Sequence, residues 1–281
     1  MLAKDYRNRF IQKLAPLYDV LEAESFFYIL LEDFYQMKRI DLALQPDFVF
    51  TDQEVSRWDL VLEKLEKEIP IQYILGKAHF YGLEFEVNEN TLIPRPETEE
   101  LVEWIVKKNE FKGKIKILDI GTGSGCIAIS LAKNLPDAEV FAIDVSEKAL
   151  ETAKKNAFTN EVNVVFMQRD ILKTEDLEQN FDLIVSNPPY VRNLEKDEIK
   201  KNVLEYEPHL ALFVEDDDAL LFYRKISELA QKNLKENGTL YFEINQYLGT
   251  EMIDLLETKN FNEIELRKDI YGNDRMIFGR K

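Results

Sequence analysis

From Lys114 onward, short runs of apolar residues alternate with helical stretches, and no other feature constrains the fold of this chain as tightly. Candidate strands cover residues 115–120, 139–143, 162–167, 181–186, 239–244, 261–266 and 275–279, with helical patterns such as 127–135 and 146–156 between the early ones. A strand that is apolar along its whole length has both faces buried. The pattern therefore predicts an α/β fold: a doubly wound, mostly parallel, seven-stranded sheet covered by helices on both sides. Only a short turn region containing Gly272-Asn273-Asp274 separates the last two strands, which predicts a terminal antiparallel hairpin.

The first quarter has a different texture. Apolar positions recur three and four apart at Phe10, Leu14, Leu17 and Leu21, then at Phe26, Ile29, Leu30 and Phe34. A third stretch, 55–69, follows the capping signal Thr51-Asp52-Gln53-Glu54. A small helical bundle is the plain reading, and a docking domain is the functional one. Near residue 70 the texture changes again. Phe80-Tyr81-Gly82-Leu83-Glu84-Phe85-Glu86-Val87 reads as part of a hairpin joining the halves. Pro96 then sits where a helix can begin, and 97–108 carries Leu101, Val102, Ile105 and Val106 on one face. The expected division is 1–76 helical, 77–94 a hairpin linker, and 95–281 the α/β domain.

Composition narrows the function classes. The longest uncharged stretch, 120–132, is too short to span a bilayer, which takes about 20 apolar residues. Lys4, Arg7 and Arg9 precede no apolar run of the secretory kind. One cysteine and two histidines leave no disulfide framework and no Cys/His zinc cluster. The expectation is a soluble, cytoplasmic, metal-independent protein with no membrane partner. The net charge is −17, of which residues 81–281, with 26 basic and 39 acidic side chains, supply −13. A surface so acidic repels phosphate backbones, so no stable nucleic-acid binding is expected.

Asp119-Ile120-Gly121-Thr122-Gly123-Ser124-Gly125 follows the first buried strand and opens a helix. Glycines there permit a tight turn and a close backbone approach to a ligand, with helix N–H groups facing it. Asp144 ends the second strand, about 20 residues further on, where a carboxylate accepts hydrogen bonds from ribose hydroxyls. Asp170 and Ile171 follow the third strand, placed to meet an adenine amine and to pack on its ring. Two cofactors compete for such a site. A dinucleotide site would place Gly or Ala where Cys126 stands. The methyltransferase version of the sheet uses Gly-x-Gly-x-Gly for the amino-acid portion of S-adenosyl-L-methionine, and Asp119 suits that cofactor's positive charge better than a pyrophosphate. A turn with no ligand is the plain alternative.

The fourth strand runs directly into Asn187-Pro188-Pro189-Tyr190. The prolines fix the loop, and Asn187, preceding one, is driven to an extended conformation. Its carboxamide oxygen and the Pro188 carbonyl make two acceptors for an NH₂ group, leaving the nitrogen lone pair aimed along a line of attack. Tyr190 offers a flat wall for a planar amide or base.

Asn-Pro-Pro-Tyr resembles the signature of S-adenosylmethionine-dependent amino-group methyltransferases, which include adenine-N6 DNA enzymes and protein glutamine-N5 enzymes. Further strings separate the two. Gln72-Tyr73-Ile74-Leu75-Gly76, Phe80-Tyr81-Gly82 and Leu92-Ile93-Pro94-Arg95-Pro96-Glu97-Thr98-Glu99 resemble the release factor glutamine methyltransferase family. So do Tyr206-Glu207-Pro208, Ala211-Leu212 and Lys268-Asp269-Ile270-Tyr271-Gly272-Asn273-Asp274-Arg275. The resemblance is collinear over about residues 70–281, and the helical first quarter matches in length and character.

It implies a class I methyltransferase domain over 95–281 and a substrate-recognition role for 1–76. The implied reaction is methyl transfer to the side-chain amide of the glutamine in the Gly-Gly-Gln loop of peptide chain release factors. A monomer is expected, although the sequence itself does not reveal the oligomeric state. Asp119, Gly121, Thr122, Gly123, Ser124, Gly125, Asp144, Asp170 and Ile171 would hold the cofactor. Asn187 would serve substrate and cofactor, and Pro188, Pro189 and Tyr190 would complete the glutamine pocket. Family context has Glu97, Thr98 and Glu99 closing over the cofactor, where the bland reading is a charged first helical turn. The chain departs from the family at Asp216-Asp217-Asp218-Ala219, where glycines are common, and at Asn245, where Gly is common.

An amide nitrogen is a poor nucleophile, and His79 and His209 are the only imidazoles. Positioning and electrostatic support of the developing charge are therefore the expected means of catalysis, not prior deprotonation. Two alternatives stay open from residues alone: an adenine-N6 nucleic-acid methyltransferase and a catalytically silent nucleoside-binding module. Cys126 reads as packing rather than nucleophile, and Glu215-Asp216-Asp217-Asp218 as a solvated loop and helix start.

Overall fold

The computed structural model describes residues 1–109 and 113–281. The backbone forms two compact units, Met1–Leu75 with Lys201–Tyr206, and Gly76–Lys200 with Glu207–Lys281.

The first unit is built on α1 (Ala3–Leu14), α2 (Val20–Tyr35), α3 (Arg39–Leu44), α4 (Asp52–Glu66) and α5 (Ile71–Leu75). Thr51 caps α4 as the sequence predicts: its hydroxyl accepts from Glu54 N at 3.2 Å, and the Glu54 carboxylate accepts from Thr51 N at 2.7 Å. Trp58 is fully buried among aromatic rings, stacked on Phe27 at 4.8 Å and Phe50 at 5.3 Å and edge-on to Phe10 at 5.9 Å. The periodicity expected through Leu17 and Leu21 does not hold. The chain leaves α1 at Leu14, just ahead of Pro16, and restarts after Asp19, so the helical phase is lost and both leucines face solvent. Ile29 is exposed as well, because α2 buries the face carrying Ala23, Phe27, Leu30 and Leu31.

In the second unit, β1 (Lys77–Phe80) and β2 (Leu83–Glu86) form a hairpin. Its turn, Tyr81-Gly82, has positive φ at both residues, as a two-residue hairpin turn requires. α6 (Pro96–Asn109), β3 (Lys116–Ile120), α7 (Cys126–Asn134), β4 (Glu139–Asp144), α8 (Glu147–Thr159), β5 (Val164–Gln168) and β6 (Phe181–Ser186) follow. β7 (Val191–Arg192) and β8 (Phe213–Val214) pair in parallel; between them in sequence come α9 (Lys201–Tyr206), which belongs to the first unit, and α10 (His209–Leu212). α11 (Leu221–Asn233), β9 (Leu234–Glu243), α12 (Gly249–Thr258), β10 (Asn262–Lys268) and β11 (Asp274–Arg280) complete the unit.

The main sheet has seven strands in the order β10-β11-β9-β6-β3-β4-β5. β5, β4, β3, β6 and β9 run parallel, and β11 pairs antiparallel with both β9 and β10. The expected doubly wound sheet and its closing hairpin are both present. Alternation builds two cores. Ile117, Leu183 and Val185 pack with α6 and α7 on one face, while Leu118 and Ile184 pack with α11 and α12 on the other. Each such fully buried aliphatic side chain is worth about 1.5–3 kcal/mol. β9 starts five residues earlier than the apolar run indicates, because the chain pairs from Leu234, passes an irregularity and re-registers at Thr239. Among the described residues, no helix is long and apolar enough to cross a membrane.

Candidate active site

The carboxyl ends of β3, β4, β5 and β6 meet along one edge of the sheet, where ligands of such folds bind. After β3 the backbone folds over the end of β4. Gly121 and Thr122 donate their N–H groups to Ile143 O at 2.9 and 3.0 Å, and Gly123 N donates to Asp144 Oδ2 at 2.9 Å. Gly125, the N-cap of α7, has φ +84°, and a Cβ there would lie 3.2 Å from Ala153 Cβ, so the missing side chain lets α8 approach. At Gly123 a Cβ would meet no protein atom within 4 Å.

Asp119 lies beneath this loop, fully buried. Thr122 Oγ1 donates to its Oδ2 at 2.6 Å, and its Oδ1 has no partner in the protein. Burial, and then the Asp144 charge, push its pKa up to about 7 against the Thr122 hydroxyl and the Ala128 amide. Asp144, at the end of β4, accepts from Gly123 N through Oδ2 and from Ser146 N at 2.9 Å through Oδ1. Burial raises its pKa while these backbone donors resist. Each oxygen keeps a second lone pair, which suits a vicinal diol. Past β5, Asp170 accepts from Leu172 N at 3.1 Å and pairs with Lys173 at 2.9 Å, which lowers its pKa.

Past β6, Ser186 Oγ donates to Ile120 O at 2.7 Å and ties two neighbouring strand ends together. Asn187 Nδ2 faces Thr98 Oγ1 at 3.4 Å, and Thr98 Oγ1 donates to Glu243 Oε2 at 2.5 Å. The Tyr190 hydroxyl donates to Glu243 Oε1 at 3.1 Å, and Asn245 Nδ2 donates to the Tyr190 carbonyl at 3.1 Å. Asn245 thus pins the loop.

These ends enclose a cavity of about 340 Å³, within the range of small-molecule sites. Of the residues expected at the site, Gly121, Gly123, Asp144, Asp170, Ile171, Asn187, Pro188 and Pro189 line it. Asp119, Thr122, Ser124 and Gly125 support it from behind, and neither histidine reaches it. Tyr190 is not on its wall: the surface beside Asn187 is made by the two prolines.

Sequence reasoning missed Leu92, Leu210 and Phe222, which also line the cavity. It also missed Glu207, which holds two of the lining segments. That carboxylate is buried and accepts from Ile93 N at 3.1 Å and from Arg95 Nη2 at 2.5 Å, next to Leu92 on one side and Pro208 on the other. The string Leu92-Ile93-Pro94-Arg95 with Tyr206-Glu207-Pro208 was the available signal. Burial pushes the Cys126 thiol up to about 12, consistent with packing rather than nucleophilic work. In the acidic run, Asp216 accepts from Leu194 N and Asp218 pairs with Arg224. Among the described residues, no His, Cys, Asp and Glu cluster is placed to hold a metal ion.

S-adenosyl-L-methionine fits what these residues offer. Asp144 suits a ribose, and the open space before Gly123 admits a backbone-hugging ligand, with the Asp119 carboxyl buried behind that loop.

A Methyltransferase small domain model matches residues 97–210, and a PrmC N-terminal domain model matches 6–76. The chain is 67% identical to the release factor glutamine methyltransferase of Flavobacterium psychrophilum, over 99% of this chain and 98% of that protein. It is 44% identical to the protein of that name from Bacteroides thetaiotaomicron, over 95% of each. Among solved structures it resembles a methyltransferase from Pyrococcus furiosus, with TM-score 0.52 and 19% identity over 80% of this chain and 98% of that one. It also resembles the hMettl16 catalytic domain, with TM-score 0.56 and 16% identity over 82% of each chain. These two likenesses concern the fold alone.

Proposed function

The chain belongs to the release factor glutamine methyltransferase family, and on that premise we propose that it moves the methyl group of S-adenosyl-L-methionine onto the side-chain amide nitrogen (N5) of the glutamine in the Gly-Gly-Gln loop of peptide chain release factors. The observation that carries this reading is the single cavity onto which the glycine loop, Asp144 and Asn187-Pro188-Pro189 all open. It would offer a nucleoside subsite and an amide subsite side by side.

Gly121, Gly123 and Asp144 would hold the cofactor, with Asp119 behind them supplying the negative charge, and Asp170 and Ile171 at the base. Bound there, the cofactor supplies a methyl group activated by a sulfonium. Asn187 Oδ1 and the Pro188 carbonyl would each accept one N–H of the substrate amide. Held so, the amide is turned with its nitrogen lone pair toward the reacting carbon, and alignment replaces a bimolecular encounter. The ionisable residues on the wall are Glu89, Asp144, Arg169 and Asp170: Asp144 and Asp170 are engaged with backbone donors, Arg169 pairs with Glu178, and Glu89 accepts from the Asn90 amide. Proton removal therefore follows transfer: the methylated nitrogen is cationic and sheds its proton to water. Residues 1–76 would recognise the release factor body. With −13 on residues 81–281, no stable nucleic-acid complex would form. The enzyme would work in the cytoplasm, as a monomer.

The test is incubation of the purified protein with labelled S-adenosyl-L-methionine and, separately, a purified release factor and duplex DNA. Label on the glutamine of the release factor alone is the expected outcome. Asn187→Ala should lower turnover at least a hundredfold while cofactor affinity falls less than fivefold. Label on DNA, or wild-type turnover in that variant, refutes the reading.

A further inference from the structure

Behind Asn187 lies a short chain of buried polar groups that the reaction as written does not use. Thr98, in the first turn of α6, is 2% exposed, and Glu243, the last residue of β9, is 1% exposed. We propose that Glu243, acting through the Thr98 hydroxyl, is the positioning residue that decides which end of the Asn187 carboxamide faces the cavity. This rests on the reading of Asn187 Oδ1 as an acceptor for the substrate amide.

The argument is one of hydrogen-bond polarity. An ionised carboxylate only accepts. Both Glu243 oxygens are taken, Oε1 by the Tyr190 hydroxyl at 3.1 Å and Oε2 by the Thr98 hydroxyl at 2.5 Å. Burial, and then the Glu97 charge, raise the Glu243 pKa against the Thr98 and Tyr190 hydroxyls and the Arg275 charge, and the polarity that follows is that of the ionised carboxylate. The Thr98 hydroxyl owns a single hydrogen, and Glu243 holds it. Toward Asn187, 3.4 Å away, Thr98 presents only lone pairs, so the group facing it must be the NH₂. The amide oxygen is then left on the cavity side. Inverting the side chain would set Oδ1 against an oxygen with no hydrogen to offer, and would set an N–H pair against the N–H pair of the substrate. The terminal torsion of asparagine is broad and roughly two-fold, so nothing within the residue makes this choice. The same carboxylate anchors Tyr190, so one buried charge fixes both ends of the Asn187-Pro188-Pro189-Tyr190 loop.

The test compares Thr98→Val, which keeps the volume and removes the hydroxyl, with Thr98→Ser, which restores it. The first readout needs no substrate: ¹⁵N spectra of asparagine-labelled protein, with the Asn187 side-chain NH₂ assigned by its loss in Asn187→Ala. The Thr98→Val change should shift that signal and speed its exchange with water at least fivefold, and Thr98→Ser should leave both near wild type. The second readout is methylation of a purified release factor. For Thr98→Val the expected kcat is at least tenfold lower, with KM for S-adenosyl-L-methionine within twofold; for Thr98→Ser kcat stays within threefold.

Glu243→Gln should lose turnover likewise, because an amide there sets a donor against one of two donor hydroxyls, and it carries both readouts if Thr98→Val does not fold. An Asn187 signal that is the same in wild type and in these variants overturns the proposal. So does a signal that moves while kcat does not. If the wild-type enzyme leaves the release factor unlabelled, the functional reading fails, and the side-chain spectrum still decides the orientation.

Discussion

Gly125→Ala should cost the second unit far more stability than Gly123→Ala, although both glycines sit in one loop with positive φ. Each change places an L-residue in the left-handed region, at about 1–2 kcal/mol. Each also gains about 0.4–1 kcal/mol because alanine restricts the unfolded chain. The sites differ in what the new methyl meets. At Gly123 it meets nothing within 4 Å. At Gly125 it would lie 2.8 Å from Ile129 Cδ1 and 3.2 Å from Ala153 Cβ. The isoleucine end can rotate away, but Ala153 is fixed to the backbone of α8, so two helices must part, an overpacking cost of about 1–3 kcal/mol. The net expectation is about 1–5 kcal/mol at Gly125 and about 0–2 kcal/mol at Gly123, a difference of about 1–3 kcal/mol set by the overpacking.

Trp58 belongs to the first unit and Trp104 to the second, so guanidinium unfolding in a Trp58→Phe background lets Trp104 fluorescence report the second unit alone. Cofactor titration of the same proteins should show the reverse ranking per unit of stability lost, since Gly123 lines the cavity and Gly125 does not. Equal stability losses at the two positions would refute the reasoning.

Asp144→Asn keeps the shape but sets an NH₂ against Gly123 N or Ser146 N. A loss of about 1–3 kcal/mol in unfolding free energy is expected. Calorimetric cofactor affinity should fall at least tenfold, and unchanged affinity would remove Asp144 from the ribose. Asp119 has a folded pKa of about 7, above the unfolded value of 3.8, so the folded state holds this proton more tightly. Its contribution is complete below pH 4 and is lost as pH rises through 7, at most about 4 kcal/mol. The difference in denaturation midpoint between wild type and Asp119→Asn should therefore change across that window, and a flat difference contradicts the assignment. Glu207→Ala strips the acceptor from Ile93 N and Arg95 and should cost about 2–3 kcal/mol. Cofactor should also dissociate faster in stopped flow, because Leu92 and Pro208 lose their common anchor.

Much of the molecule is written in local pattern. Continuous apolar runs such as Ile117-Leu118 and Leu183-Ile184-Val185 belong to strands buried on both faces, and glycine spacing after a strand marks a ligand loop whatever surrounds it. The errors arose where one residue interrupts a pattern. Pro16 ends α1, so the leucines beyond it share its spacing but not its helix. The irregularity near Asn237-Gly238 hides the true start of β9. Trp104 lies outside the apolar stripe of Leu101, Val102, Ile105 and Val106, yet it packs edge-on to Tyr241. Glu207 and Glu243 were invisible as partners, because a lone carboxylate in a sequence says nothing of which distant hydroxyl, amide or guanidinium it will meet. The role of Glu243 exists only once α6, β6 and β9 are side by side, and that of Glu207 only once the segment before α6 meets the segment before α10.

Three glycines in five residues suggest slackness, yet the first three amides of this loop are already spoken for by Ile143 and Asp144. Folding itself has set the segment in place, so a ligand arriving there need not freeze it. Amide exchange at Gly121, Thr122 and Gly123 should then be slow before any nucleoside is added. The entropy of association should be that of a rigid receptor rather than of a loop that wraps its guest.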